Sequence, residues 1–184
     1  MDAGTEETQQ RVARSASVPE PWLRGTHSEI PAVARGVVHA LELAREDVAR
    51  WTSGLSEQAL HSKPMGLPSV AWQMRHMVRS LDRLLSYAEG RQLSQTQLQS
   101  LQAEDDPCSA VQLQEEWELG LQDAERRVIA LAEVDPQTLR GVGRRQLPTT
   151  VGGLLVHLAD HTQRHLGQLV TTAKVIRAGT AGHL

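Results

Sequence analysis

Residues 148–168 constrain the fold of this chain more than any other stretch, because they place two histidines in the apolar stripe of a long helix. His161 and His165 are four residues apart, so at about 100° per residue their side chains lie about 40° apart on one helix face. Apolar residues of the same face bracket the pair: Val151, Leu154, Leu158, Leu169 and Ile176. Both imidazoles are therefore predicted to face a partner helix and not water.

Two inward imidazoles have two possible explanations. A single part-buried histidine is commonly satisfied by one hydrogen bond and needs no ligand. Two neighbouring rings cannot both be protonated at low cost, whereas one metal ion uses the neutral form of both. The spacing of His161 and His165 therefore favours a metal site over two separately satisfied histidines.

Composition narrows the class of protein. With 184 residues, of which 40% are hydrophobic, the chain is predicted to form one domain with its own core. It has four Trp, one Tyr and no Phe, which suits helix-on-helix packing better than a sheet. A net charge of -3, with no basic stripe, makes nucleic acid an improbable partner.

Cellular location is inferred from the cysteine content and the apolar runs. Cys108 is the single cysteine, so an internal disulfide framework is excluded. The apolar runs are too short for a signal peptide or a membrane span, and no membrane partner is expected. We therefore expect a cytoplasmic protein.

Four stretches of helical period divide the chain. Residues 1–28 are polar and contain Pro19 and Pro21, so they are predicted to form a flexible N-terminal arm ahead of a helical domain at 29–184. The four helices are predicted to run over residues 31–51, 70–89, from Asp106-Pro107 to Asp135, and from Pro148 to about Gly179. Ser69 is the expected N-cap of the second helix, and Gly90 its end.

Two connections and one histidine complete this outline. Residues 91–106 are rich in Gln, Ser, Glu and Asp, and we expect a solvated connection long enough to let the second and third helices run parallel. Residues 141–145 are predicted to form a basic loop. His39 falls outside the apolar stripe of the first helix and is predicted to lie at the surface.

A metal held by His161 and His165 needs at least a third ligand from a neighbouring helix. The candidates are His76, on the flank of the second helix, and His157, Asp160 and the acidic residues of the third helix. Residues 157–161 resemble the H-x-x-E-H zinc motif with Asp160 in the acid position, but the inward face favours His161 with His165. The acidic run of the third helix is more typical of a solvated face; it consists of Glu115, Glu116 and Glu118.

Residues 157–168, with His161, His165 and Gly167-Gln168 in order, resemble the last-helix motif of the DinB-like (damage-inducible) metalloprotein family. That family includes bacillithiol and mycothiol S-transferases. Residues 72–82 are similar to the second-helix segment that supplies the first ligand of the family. The resemblance implies an all-α four-helix bundle in up-down-down-up order, with a divalent metal, zinc or nickel, bound by His76, His161 and His165.

The resemblance also implies a homodimer. Trp117 and Leu121 of the third helix are the apolar residues that we expect a four-helix layer to leave uncovered, and so to be available for dimer formation.

Two classes of function follow from such a site. The first is a metal-dependent small-molecule transferase of the thiol S-transferase type, or a hydrolase, with a pocket between the second and fourth helices. Because the motif contains no cysteine, the thiol would be a low-molecular-weight cosubstrate. Asp160 lies off the inward face and the motif contains no glutamate, so no catalytic residue is identified. The alternative is a non-catalytic metal-binding stress-response protein whose ion is closed off by protein ligands.

Overall fold

The computed structural model describes residues 18–181, and helices form most of that range. Its α-helices are α1 (Ala32–Thr52), α2 (Glu57–His61), α3 (Val70–Ala88), α4 (Gln95–Gln102), α5 (Ala110–Leu131) and α6 (Val151–Ala181). The shorter elements are two 3-10 turns at Pro21–Leu23 and Pro64–Gly66, and the strands β1 (Leu139–Val142) and β2 (Leu147–Thr150). The predicted all-α class is confirmed, and none of the described helices is long and apolar enough to cross a membrane.

Four long helices, α1, α3, α5 and α6, enclose one core. The packed pairs are α1 with α6, α6 with α3, α3 with α5, and α5 with α1. The largest fully buried side chains come from all four helices and include Leu41, Met74, Met77, Leu81, Trp117, Leu121, Leu158 and Leu169. A closed layer of this kind buries the apolar stripe of each helix against two neighbours.

Contacts between named residues give the helix directions pair by pair. Helices α3 and α5 run the same way, since their contacts advance together: Arg75 with Glu116, Val78 with Gly120, and Ser86 with Arg127. Helices α3 and α6 run in opposite directions, since contacts on α6 advance as those on α3 recede: Gln73 with His165, and Pro68 just before α3 with Thr172. The up-down-down-up order of the whole bundle remains our prediction, and these pairwise directions are the ones it requires.

The ends of the helices follow from capping chemistry. The Ser69 hydroxyl accepts a hydrogen bond from the Trp72 amide, as expected for the N-cap of α3. Helix α3 ends just before Gly90, whose φ of +79° is accessible to glycine at little cost. Helix α5 differs from its prediction, because Ser109 and Gln112 form a capping box three residues beyond Asp106 and set its start.

Most polar residues of the connection at residues 91–106 are exposed, as its composition predicts, but the connection is not an irregular loop. It contains α4, which packs against α3. The Gln97 side-chain amide donates to the Asp82 carboxylate and to the Ser86 hydroxyl, both at 2.8 Å. Glu104 is only 5% exposed. Two polar side chains of this connection, those of Gln97 and Glu104, therefore bind α3 instead of water.

Residues 141–145 belong to a β-hairpin and not to a simple loop. Strands β1 and β2 pair in antiparallel register, with Gly141 opposite Pro148. Gly143 has a φ of +70° in the turn between them. Because Pro148 lies within β2, α6 begins at Val151, three residues later than predicted.

Most of the predicted N-terminal arm, residues 1–17, lies outside the described residues. Residues 18–30, here called the N-terminal segment, lie along α1, and Pro21 is buried. Trp22 is 61% exposed and Leu23 is also exposed, so these two side chains do not fasten the segment. The segment is held to α1 by a bidentate contact between the Arg24 guanidinium and the Glu46 carboxylate, at 2.5 and 2.8 Å.

The N-terminal segment also changes the environment of His39. This residue is 8% exposed, so the prediction of a surface histidine is wrong. Thr26 covers it, with the hydroxyl oxygen 3.2 Å from His39 Nε2. The apolar stripe of α1 did not predict the burial of His39, because the residue that covers it belongs to the N-terminal segment and not to the bundle.

The apolar surface predicted for a dimer is not at the surface. Trp117 and Leu121 are 1% and 0% exposed, within the core of a single chain. Both side chains pack within the four-helix bundle of one chain, so they offer no exposed apolar area to a second copy.

Candidate metal centre

Helices α6 and α3 bring three histidines together. His161 and His165 are one turn apart on α6, and their ring centroids lie 4.5 Å from each other. His76 of α3 faces both, with centroids 4.3 Å from His165 and 5.2 Å from His161. One ligand atom from each residue lies within 4.8 Å of the others, and among the described residues no other His, Cys, Asp and Glu group meets this condition. The three rings can therefore hold one metal ion.

His76 is oriented from two sides. Its Nδ1 lies 2.8 Å from Oε2 of Glu104, the buried carboxylate of the connection between α4 and α5. The Trp72 indole, one turn earlier on α3, stacks on the ring at 4.6 Å with an interplanar angle of 12°. With Nδ1 donating to the carboxylate, the nitrogen left for a metal is Nε2.

His165 is oriented by an amide. Its Nδ1 lies 2.8 Å from Oε1 of Gln73, which is fully buried on α3. The Gln73 amide in turn donates to Oε1 of Gln168, at 3.1 Å. His165 thus also keeps Nε2 free, and the chain Gln168–Gln73–His165 fixes the ring between two helices.

The surroundings favour neutral imidazoles. Burial, followed by the neighbouring His165 and His76, lowers the pKa of His161 from 6.5 to about 4. Burial, followed by the charges of His76 and Arg164, also lowers the pKa of His165. Both rings are neutral at physiological pH, which is the form that binds a metal.

Glu104 is held as an anion. Burial acts to raise the pKa of its carboxyl, but the hydrogen bonds and charges of His76 and Arg83 outweigh burial and bring the pKa below its ordinary value. Arg83 reaches Oε1 at 3.0 Å while His76 reaches Oε2. The negative charge therefore lies directly behind one of the three rings.

Comparison with known protein families shows which family the chain resembles. The family model of the DinB superfamily matches residues 40–169, which is more than half of the chain and includes all three histidines. The chain belongs to the DinB superfamily. No curated protein matches it.

The remaining ligand candidates of this DinB-like chain stay outside the histidine group. The side chains of His157 and Asp160 are 48% and 56% exposed, and the Asp160 carboxylate binds Arg164 at 2.6 Å. Glu116 on α5 is engaged by Arg75 and Arg79, at 3.0 and 2.6 Å. The resemblance of residues 157–161 to H-x-x-E-H thus has no counterpart in the arrangement of the side chains.

A cavity of about 330 Å³ adjoins the DinB-like site. It is lined by the turn before α3 and by one face of α6: Leu67, Pro68, Arg164, Gly167, Gln168, Thr171 and Thr172. Gly167 faces open space, because a Cβ there would have no neighbour within 4 Å. Gln168 joins the cavity to the histidines through Gln73. A second cavity, of about 370 Å³, lies between α3, α4 and α5; none of the three histidines lines either cavity.

Sequence reasoning missed two residues of this site, Gln73 and Glu104. Gln73 is one turn before Met77 and three residues before His76, so a buried polar residue on the inner face of α3 was a usable signal. Glu104 gave no such signal, because it lies in a stretch of polar composition 28 residues beyond His76.

Proposed function

We propose that this DinB-like protein binds one divalent metal, zinc or nickel, through His76, His161 and His165. The observation that carries the proposal is the convergence of three imidazoles from two helices, within 4.8 Å of one another. Two of the rings have Nδ1 engaged by protein acceptors, which leaves Nε2 for an ion. Imidazole nitrogen suits both metals.

A metal bound by three nitrogens keeps open positions and would lower the pKa of a bound water or bind a thiol as thiolate. The chain supplies no thiol of its own for this purpose. Cys108, which precedes the N-cap of α5, has its Sγ 3.9 Å from His61 Nε2, and both residues are outside the histidine group. A thiol in the reaction would therefore come from a small molecule.

We propose that the chemistry is transfer of such a thiol to a small electrophile, with hydrolysis as the second possibility. Hydrolysis is faster when a base assists the attacking water, even where a metal lowers the pKa of that water. In the described part of the site, Glu104 is engaged by His76 and Arg83, and Asp160 by Arg164. A thiol has an ordinary pKa of about 8.5, far below the value of about 15.7 for water, so it would lose its proton to solvent on binding the metal more readily than water, and this difference favours the transferase.

The cavity beside α6 is the proposed substrate pocket. Its volume of about 330 Å³ suits a small molecule. Arg164, Gln168 and Thr171 provide polar groups in its lining, and Leu67 and Pro68 provide apolar surface. Such a lining would orient a small polar molecule next to the metal.

The test is cobalt substitution. In the proposed enzyme, the visible spectrum of the Co²⁺ protein shifts when a small thiol is added, because the thiolate enters an open position. A His161→Ala variant serves as the control and loses the cobalt spectrum. A fully coordinated cobalt whose spectrum ignores every added thiol or anion would favour the non-catalytic metal-binding stress-response protein. With an open position established, thiols are screened against electrophiles for turnover.

We retain the homodimer as a proposal that rests on the family alone. A surface other than Trp117 and Leu121 would form its interface, since both are buried within one chain. Sedimentation at micromolar concentration is expected to give twice the mass of 20.2 kDa. A single species at the monomer mass would remove the proposal.

A further inference from the structure

Glu104 stands apart from the other polar residues around the histidines. It lies in the connection between α4 and α5, yet its side chain is buried and both of its oxygens are engaged. Oε2 accepts from His76 Nδ1 at 2.8 Å, and Oε1 accepts from Arg83 at 3.0 Å. A carboxylate removed from water in this way costs free energy unless both partners remain in place.

The three rings are supported unequally. His76 has an anionic acceptor, His165 has the neutral amide of Gln73, and no hydrogen bond to the His161 ring is found in the described part of the chain. An anion on Nδ1–H increases the electron density at Nε2 more than an amide does, so it makes a stronger metal ligand. The structure therefore ranks His76 as the best supported of the three rings.

Arg83 contacts residues on both sides of the His76 ring. Its Nη1 binds the Glu104 carboxylate, and its Nη2 donates to the Ser80 hydroxyl at 2.9 Å. The Ser80 oxygen lies 3.4 Å from His76 Nε2, which is a long contact that a metal ion at Nε2 would replace. The ring is thus fixed at Nδ1 and only weakly engaged at Nε2.

We propose that Glu104 is the positioning residue of the metal centre: it acts through His76, fixing the tautomer that presents Nε2 and increasing the affinity for the ion. This inference rests on the proposed metal binding by His76, His161 and His165. It makes the connection at residues 91–106 part of the site, although that connection supplies no ligand of its own.

The test compares three variants by competition with a chelator for Zn²⁺ and by the Co²⁺ spectrum. Glu104→Gln removes the charge but keeps the shape, and the affinity for Zn²⁺ is expected to fall by roughly 10- to 100-fold. Glu104→Asp keeps the charge and is expected to recover part of that loss. The matched control is Glu116→Gln, because Glu116 is also a partly buried carboxylate shared with arginines of α3, but contacts none of the three histidines.

The outcomes separate this inference from the proposed function. Wild-type protein that binds no metal refutes the proposed function itself. Wild-type affinity in a folded Glu104→Gln variant, or an equal loss in Glu116→Gln, overturns the role of Glu104 while metal binding stands. A purely structural role would lower the stability of the metal-free protein and leave the Co²⁺ spectrum unchanged, and that result also counts against the inference.

A second variant covers the case in which Glu104→Gln does not fold. Arg83→Met removes the cation that holds Oε1 and leaves the carboxylate in the chain. The affinity for Zn²⁺ is then expected to fall by a smaller factor, about 3- to 10-fold. An unchanged affinity in this variant overturns the inference.

Discussion

Two histidine groups in this molecule contain similar residues but differ in which ring nitrogen contacts the protein. The first is the candidate metal centre of His76, His161 and His165. The second, here called the α1 clasp, consists of His27 and His39, whose ring centroids are 5.7 Å apart, with Glu42. In the metal centre the acceptors of His76 and His165 sit at Nδ1, whereas in the clasp Glu42 and Thr26 occupy Nε2 of the two rings, at 2.8 and 3.2 Å.

The protein engages Nδ1 in the first group and Nε2 in the second, and we infer that this difference separates a site able to bind an ion from a structural contact. Nε2 is the outer nitrogen of the ring and reaches furthest from its own helix. When a carboxylate contacts Nε2, the ring links two segments of the chain, as His27 links the N-terminal segment to α1. When an acceptor takes Nδ1 instead, Nε2 is left to meet a common partner.

The largest expected effect separates the two groups by metal content. His161→Ala removes one of three ligands, and the affinity for Zn²⁺ is expected to fall by at least about 100-fold, more than for loss of an outer partner. His39→Ala, in the α1 clasp, is the control and is expected to keep wild-type affinity. Elemental analysis after dialysis against a weak chelator measures both. Stoichiometric metal in the double variant His161→Ala, His165→Ala would show that these two histidines are not the ligands.

The pH dependence of the metal-free protein gives the next effect. The pKa of His161 is about 4 in the folded chain and 6.5 ordinarily, so the unfolded chain takes up the proton first as pH falls. The contribution of a neutral His161 to stability is therefore fully present above pH 6.5 and is lost towards pH 4, by about 2 kcal/mol after allowance for solvent screening. Urea unfolding at several pH values measures this loss.

A His161→Gln variant provides the control for that titration. It has no imidazole at this position, so the decline between pH 6.5 and pH 5 is expected to become shallower. An unchanged slope in the variant would show that the acid sensitivity arises elsewhere in the molecule.

Substitution in the α1 clasp is expected to affect stability alone. His39→Ala empties a buried position, and we expect a loss of about 1–3 kcal/mol in the free energy of unfolding. Chemical denaturation with and without Zn²⁺ checks this, because the increment from the metal should match that of the wild type. A smaller increment would mean that the two groups are coupled.

The smallest expected effect concerns the carboxylate of the clasp. Glu42→Gln weakens the 2.8 Å contact with His27 Nε2, and a loss of about 0.5–1.5 kcal/mol is expected. The loss is limited because the Arg24 contact with Glu46 still fastens the N-terminal segment. Denaturation of this variant and of Glu46→Gln side by side would show which contact matters more.

The fold was predictable where the apolar period was long. Met74, Met77 and Leu81 recur at helical spacing in α3 and lie in the core. Ser69 caps this helix, as predicted. The hairpin was not predictable, because β1 and β2 are four residues each and contain Gly141 and Pro148, which are poor strand residues. The cap of α5 was misplaced because Asp106-Pro107 is a strong start signal that competes with Ser109.

The site was predictable only as far as residue spacing reaches. The four-residue spacing of His161 and His165 placed them on one face, and the family resemblance added His76. The orienting residues were beyond reach of this kind of reasoning, since Glu104 meets His76 only after the connection folds back on α3. His39 was misjudged for a similar reason, because the residues that bury it belong to a segment without periodicity.

The location of Glu104 has a consequence for the motions of the molecule. Helix α4 is bound to α3 by polar contacts such as those of Gln97, so we expect residues 94–104 to open locally without unfolding of the bundle. An ion that binds best when Glu104 is docked must also disfavour that opening, by the linkage between binding and conformation. Amide hydrogen exchange in α4 is therefore expected to slow when metal is bound. Exchange at this outer helix would then report whether the interior metal site is occupied.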